Sequence, residues 1–400
     1  MKYYYLLLIC LFQFACAAGP KASLKFEGPS LQAVPTLISR AQCEALLGPL
    51  AQGEGVSFMD GELTLNSQFD DLDGDANWDE ALIILDWPNE ITLSKVPLAQ
   101  ITSGARRTNL HLAKVIKKGE EYEEVSFGER IPGTDTKVTQ THFQYEGPGW
   151  ENDLIAFRNY FDERNGFDIF GKTTSDMVLS QVGTGQNYHE LRSWGMDILK
   201  VGNSLGSGGI ALWYQDSLYR VSVPQGATYK TIIEGPSRST FELRFPAMPV
   251  GEHTVEVVHT VSIYAGVNGF SSEVAVSPHI GGMALAVGIV NLETETFFQA
   301  STEETEAIYT YGNQAFLHEP LGMGVLGRKA DFMGPYTTAE EGSGVVQTFA
   351  SLLKLYPNQP TPYLFIAGWE KSNPKFGTQE GFAAILAEEA KRWHYGIGGN

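Results

Sequence analysis

Over most of its length the chain alternates apolar and polar residues with a period of two, the signature of strands with one buried face. Phe241, Leu243 and Phe245 alternate with Glu242 and Arg244, and Val255, Val257, Val261 and Ile263 with Thr254, Glu256, Thr260 and Ser262. In a strand predicted over 154–162, Ile155, Phe157 and Phe161 share one face and Arg158, Tyr160 and Asp162 the other. Over 107–116, Leu110, Leu112 and Ile116 oppose Arg107, Asn109, His111 and Ala113, a strand with a polar side. Residues 81–87 are a continuous apolar run closed by Pro88, which reads as a strand buried on both faces. Further strands are predicted over 284–290, 298–300, 307–311, 324–326 and 363–369, and a charged, solvated connection over 120–137.

Two stretches break the alternation. A helical turn is predicted over 39–47. At the end of the chain, Phe382, Ile385, Leu386 and Trp393 fall near one face of a helix over 381–393, with Thr378 as its N-cap. Turn signals recur at short intervals, and the sequence shows no internal repeat and no linker. The expectation is an all-β dominated fold: a single large antiparallel β-sandwich over 18–400, carrying a C-terminal amphipathic helix.

Composition narrows the class. Twenty-eight Lys and Arg against 47 Asp and Glu give a net charge of −19. That argues against a nucleic-acid partner, whose phosphates need a basic footprint. Lys2, the apolar run over 3–14 and Ala15-Cys16-Ala17 read as a signal peptide over 1–17. The protein is therefore expected to be secreted or periplasmic, with lipid attachment at Cys16 as the alternative and no transmembrane segment. Cleavage leaves Cys43 as the one cysteine, so no internal disulfide forms and stability rests on the core.

Few catalytic signatures are present. The sequence has no phosphate-binding glycine loop, no HExxH, no paired CxxC and no G-x-S-x-G elbow. Gly206-Ser207-Gly208-Gly209 reads as a turn, and His259, on the apolar face with Val257 and Val261, as a core histidine. Asp71, Asp73, Asp75 and Asp79 form D-x-D-G-D-x-x-x-D, whose hard oxygens suit a structural Ca²⁺. Ala76 and the strand that follows exclude an EF-hand; an acidic turn held by its own Asx hydrogen bonds is the competing reading. No organic cofactor is expected.

Aromatics, charges and glycines concentrate between Tyr145 and Lys200. His189, between Tyr188 and Glu190-Leu191-Arg192, is the best candidate for proton transfer. Arg158 and Arg107, on polar strand faces, are the candidates to meet a carboxylate. Trp150 and Trp194 offer flat surfaces to a sugar, or belong to the core.

The strings Glu146-Gly147-Pro148-Gly149-Trp150-Glu151-Asn152-Asp153, Asp168-Ile169-Phe170-Gly171-Lys172, Tyr188-His189-Glu190 and Trp194-Gly195-Met196-Asp197-Ile198-Leu199-Lys200 closely resemble the domain-of-unknown-function family 4861. The acidic loop, Arg107-Thr108, Gly235-Pro236-Ser237-Arg238 and Ala367-Gly368-Trp369-Glu370 fit it too, so the resemblance covers nearly all of the chain after residue 17. Ala76 departs from the family's usual glycine in the acidic loop. The resemblance implies a secreted β-sandwich protein of polysaccharide degradation that dehydrates the non-reducing-end uronic acid of ulvan-type oligosaccharides, giving a C4–C5 double bond. The expected catalytic set is His189, Tyr160 and Arg158. The expected substrate contacts are Arg107, His111, Trp150, Glu151, Trp194 and Lys200, around a basic hollow in an otherwise acidic protein. Chain cleavage by the same elimination, and non-catalytic binding of an acidic glycan, are the competing readings.

Overall fold

The alternation is realised as antiparallel sheets in a computed structural model that describes residues 21–130, 142–222 and 226–398. The expected signal peptide over 1–17, with Cys16, and part of the connection over 120–137 lie outside the described residues. The rest of that connection contributes two short strands, Glu121–Glu124 and Phe127–Glu129, where unpaired chain was expected.

A nine-stranded sheet makes one layer of a sandwich. Its inner strands are Arg238–Val250, His253–Tyr264, Gly269–Ser277, Thr361–Trp369 and Leu321–Arg328. Two five-stranded sheets make the other layer. One comprises Thr108–His111, Gly149–Asn152, Ile155–Asn159, Phe167–Lys172 and Gly195–Asp197; the other is centred on Ser207–Tyr214 and Ala284–Val290. A parallel bridge between Phe167 and Gly206 joins the two. The Gly206–Gly209 segment is thus a bulged strand start rather than a turn. Gly206 has φ +73°, and a Cβ there would lie 1.9 Å from the Phe167 carbonyl oxygen, so the seam requires glycine.

One apolar cluster fills the space between the layers. Trp150 sits at its centre, with ring centroids 5.6 Å from Phe157, 4.9 Å from Phe167, 5.1 Å from Phe241 and 5.4 Å from Phe270. The faces read from the sequence hold here: Phe157 points into the core and Arg158 away from it. The strand over 107–116 does not run through. It leaves the sheet after His111, and Ala113–Lys117 pairs with Glu121–Glu124 in a separate hairpin, which leaves Ile116 exposed.

Residues before 100 build a further five-stranded sheet around Lys21–Ser39 and Glu80–Pro97, with its own core of Val34, Ile38, Phe58, Trp78 and Ile83. Its helix, Arg40–Leu47, opens on a reciprocal cap between Ser39 and Gln42. Cys43 is buried there, and burial pushes its thiol up to about 12, so it is no nucleophile.

The C-terminal helix spans Gln379–Trp393, and the Thr378 hydroxyl accepts from the Gly381 N–H at 3.1 Å. It lies on the outer face of the nine-stranded sheet. Gly322 and Gly324 let it approach: Cβ atoms there would meet Phe382 at 2.3 Å and Leu386 at 2.7 Å. Among the described residues no helix is long and apolar enough to cross a membrane.

His259 lies in the core, stacked on Phe167 at 5.5 Å, with Nε2 3.1 Å from Ser272 Oγ and 3.0 Å from Tyr363 Oη. Burial lowers its pKa to about 3 from 6.5. The folded protein thus refuses a proton that the unfolded chain accepts. The resulting stability is full above pH 6.5 and is lost as pH falls toward 3. Between pH 6.5 and 5 the loss is roughly 2 kcal/mol at about 1.4 kcal/mol per unit. Urea denaturation at the two pH values should show that loss in the wild type. In His259→Leu the loss should be smaller by about that amount.

Candidate functional site

The short sheet that carries Trp150 on its inner face carries charge on its outer face. Arg158 and Asp168 are cross-strand partners, and Asp197 pairs with Phe170 on the neighbouring strand. The chain between Lys172 and Gly195 returns over this face. Val178, Leu179, Val182 and Trp194 pack with Tyr145, Ala156 and Phe170 and shut out water. Charges under such a cover must be paired, because stripping an ion of water costs several kcal/mol.

They are paired around one guanidinium. Arg158 Nη2 donates to Asp168 Oδ2 at 2.7 Å, Asp197 Oδ2 at 2.8 Å and Tyr160 Oη at 2.8 Å. Nε donates to Asp168 Oδ2 at 3.0 Å, and Nη1 to the Tyr145 carbonyl and Tyr188 Oη, both at 3.3 Å. The Tyr160 hydroxyl donates to Asp168 Oδ2 at 2.6 Å. Its ring lies between two cations, 4.5 Å from the Arg158 guanidinium and 3.8 Å from that of Arg164. Arg164 in turn holds Asp162 at 2.7 Å and Glu146 at 3.3 Å. His189 sits at the mouth, its side chain 45% exposed, with Nδ1 3.3 Å from Asp197 Oδ2.

The environment divides the protons. Burial, then the neighbouring Asp168 charge, holds the Asp197 carboxyl well above the usual range, against the pull of Arg158. Burial alone would lower Arg158, but Tyr160, Asp168 and Asp197 more than compensate, so it stays charged. Burial raises Tyr160 and Tyr188 and keeps both phenols protonated. Burial, then the Arg158 charge, lowers His189 and keeps its imidazole neutral near pH 7.

His189, Tyr160 and Arg158 therefore meet, Arg107 does not join them, and two assignments change. Arg158 is 2% exposed and fully engaged, so it cannot receive a substrate carboxylate; it positions Asp168, Asp197 and Tyr160. The cluster is also not a basic hollow, since Asp168, Asp197 and Glu146 stand against Arg158 and Arg164. Asp168, Asp197 and Tyr188 were visible as residue types, but their roles depend on strand register and on the returning segment.

The expected substrate contacts scatter. Trp150 is fully buried in the sandwich core, out of reach of any sugar. Glu151 is fully buried too, accepting from Lys172 Nζ at 2.9 Å and from the Val178 and Leu179 N–H groups at 2.8 and 3.0 Å. It ties the cover to the sheet and has no exposed oxygen to offer. Arg107 lies at the far end of the sheet from Arg158, held by Asp153 at 2.6 Å. His111 is buried between Glu124 and Gln144, its ring 5.6 Å from that of Tyr145. Trp194 packs edge-on against Phe170, 8% exposed. Lys200 lies on the far side of Phe316 from His189: its side chain is 45% exposed, its ammonium is paired with Glu293 at 3.0 Å and lies 5.8 Å from the Phe316 ring, which is 5.8 Å from that of His189. A cavity of about 300 Å³ adjoins the cluster, lined by Tyr145, Tyr188, Tyr122 and Lys118 among others.

In the acidic loop, Asp71, Asp73 and Asp79 bring oxygens within 4.8 Å of one another. Asp75 stands apart from them and caps Asn77, through the backbone N–H at 2.7 Å and the side-chain amide at 3.1 Å. The other three also cap loop N–H groups, Asp71 at Gly74 and Ala76, Asp73 at Asp75 and Asp79 at Leu72. Ala76 takes φ +69°, which explains why glycine is the easier residue there.

The chain belongs to the family described as domain of unknown function (DUF4861), whose profile matches residues 30–396. No curated protein matches it. Among solved structures it is similar to an alpha-mannosidase from Enterococcus faecalis V583, at 10% identity and TM-score 0.43, over 92% of this chain and 45% of that one. It is similar also to a protein in the glycosyl hydrolase family 38 from Enterococcus faecalis, at 9% identity and TM-score 0.43, over 93% and 47%. The chain spans less than half the length of either.

Glu151→Ala leaves the Lys172 ammonium buried without its carboxylate. The expected cost is about 3–5 kcal/mol in chemical denaturation. Unchanged stability would return Glu151 to the pool of ligand contacts.

Proposed function

For this member of the family, we propose a carbohydrate-active carbon–oxygen lyase, a dehydratase that removes water across C4–C5 of a non-reducing-end uronic acid in acidic, ulvan-type oligosaccharides. The observation that supports it is the meeting of a neutral, half-exposed imidazole, a protonated phenol and two buried carboxyl groups, that of Asp197 held toward its protonated form, around one guanidinium. Elimination beside a carboxylate needs a base for the C5 proton and an acid for the departing hydroxyl.

His189 is the base. With its Nδ1 proton directed at Asp197 Oδ2, 3.3 Å away, Nε2 is left with the lone pair. As the C5–H bond breaks, its electrons form the C4–C5 double bond and the C4–O bond gives up the hydroxyl. Tyr160 turns its O–H from Asp168 Oδ2 to the departing group and supplies the proton that makes it water, and the phenolate left behind lies 2.8 Å from Arg158 Nη2. Lys200, half-exposed beyond Phe316, is the cation proposed to meet charge building on the substrate carboxylate, and to do so it must exchange its pair with Glu293 for the substrate. The oligosaccharide is held outside the cell membrane, in keeping with an exported protein. A structural Ca²⁺ in the acidic loop belongs to the same reading, with Asp71, Asp73 and Asp79 as its carboxylate ligands.

Incubation with uronate-ended oligosaccharides should raise ultraviolet absorbance and lower the mass by one water, with the oligomer length unchanged. His189→Ala and Tyr160→Phe should each cut the rate roughly 10²- to 10⁴-fold while folding normally. Shortened products would indicate chain cleavage instead, and full activity in both variants would remove the two residues from the chemistry. Because His189 must be neutral, the rate should fall at acid pH through an apparent pKa below 6.5. In titration calorimetry, chelator-treated protein should take up one Ca²⁺. Asp71→Asn with Asp79→Asn should abolish that uptake.

A further inference from the structure

The outer face of the nine-stranded sheet, on the opposite side of the sandwich from His189, holds a groove that the elimination does not use. Two cavities of about 370 and 410 Å³ share Leu37, Glu80, Ser271, Glu273 and Ile397 among their walls, so they form one trough. Each lies within the ~300–1,000 Å³ usual for small-ligand sites. One wall is the N-terminal sheet at Leu37 and Glu80, and another is the end of the chain at Trp393 and Ile397.

Strand register builds the floor. Thr240, Ser262 and Ser271 are consecutive cross-strand partners, and so are Glu242, Thr260 and Glu273. Side chains in such rows stand close together on one face. Thr240 and Ser262 hydroxyls lie 2.8 Å apart, and Ser271 Oγ accepts from Trp393 Nε1 at 3.2 Å. Glu273 is different. No hydrogen bond or ion pair to its carboxylate forms among the described residues. Its side chain is exposed along the trough, and the walls around it strip enough water to hold its carboxyl above the usual range, against the nearby Arg328 charge.

The chemistry of this lining selects a ligand. Arg238 is held by Asp70 and by Glu80 at 2.7 Å, and Arg328 donates to the Gly398 carbonyl at 3.0 and 2.9 Å. Both cations are thus engaged, Glu80 is neutralised by Arg238, and the carboxylate left over, Glu273, repels an anion. A neutral polyhydroxyl chain meets no such opposition. Its hydroxyls can donate to Glu273 and exchange hydrogen bonds with Thr260 and Ser262, while its C–H faces rest on Leu37 and Ile397.

We propose that the trough between the N-terminal sheet and the outer face of the nine-stranded sheet binds a neutral stretch of an oligosaccharide, with Glu273 as its central hydrogen-bond acceptor. Such a site would hold a polysaccharide fragment apart from the reacting end group; the choice of a carbohydrate rests on the proposed function, while the trough itself does not.

Titration calorimetry on the full chain tests it with neutral gluco- and xylo-oligosaccharides and with a hexuronate oligosaccharide as probes. The expected result is binding of a neutral probe, weakened tenfold or more by Glu273→Ala and abolished by Thr260→Trp, which fills the trough. Both variants should keep the wild-type circular dichroism, and Ser262→Val serves as a milder replacement if Thr260→Trp fails to fold. His189→Ala should bind the neutral probe as the wild type does, so loss of catalysis and loss of this site are read separately. The absence of heat with every neutral probe at millimolar concentration would overturn the proposal. So would hexuronate binding that Thr260→Trp abolishes, or neutral-probe binding untouched by Glu273→Ala.

Discussion

Burial of the Arg158 guanidinium between the Asp168 and Asp197 carboxylates is the constraint from which the rest of the site follows. A cation 2% exposed on the outer face of a sheet is tolerable only if its charge is matched and its donors are filled. Both conditions are met by groups from four segments: the carbonyl of Tyr145, the hydroxyl of Tyr160 and two aspartates, with Tyr188 closing the last donor. Each of these contacts fixes a strand or a loop relative to the others. The same arrangement sets the protons, because two carboxylates beside one guanidinium in dry surroundings cannot both ionise freely.

A second buried pair, Lys172 with Glu151, does mechanical work a few residues away. Glu151 accepts two backbone N–H groups at the start of the covering segment and so pins it where the chain leaves the sheet. The cover excludes water from Arg158, and the lowered dielectric strengthens every contact beneath it. His189 is carried on the same segment and stays half-exposed at the mouth. A rigid, dry floor with one accessible imidazole at its edge is therefore a product of how the segment is pinned, not of any local motif.

The two outer faces of the sandwich are handled in opposite ways. Over the short sheet, the face is charged and sealed by the chain's own return. Over the nine-stranded sheet, the C-terminal helix covers one part with Phe382 and Leu386, and small hydroxyl side chains leave the remainder open as a trough. Large apolar residues at Thr240, Thr260 or Ser262 would have invited the same coverage, so hydroxyls there keep the groove both soluble and shallow.

Much of this architecture was legible along the chain. Period-two patterning placed Phe157, Phe241 and Val257 inward and Arg158 and Thr260 outward, and Thr378 with the spacing after it marked the helix, because these depend only on the geometry of a strand or a helix. The family strings marked the stretch that carries His189, Tyr160 and Arg158. Which of those side chains meet was not legible. That Asp168 faces Arg158 depends on hairpin register, and that Asp197 and His189 join them depends on a long segment folding back. Trp150 and Glu151 show the limit most plainly. One belongs to the core and the other to a buried ion pair because of what lies across from them, and partners distant in sequence come together only when the layers pack.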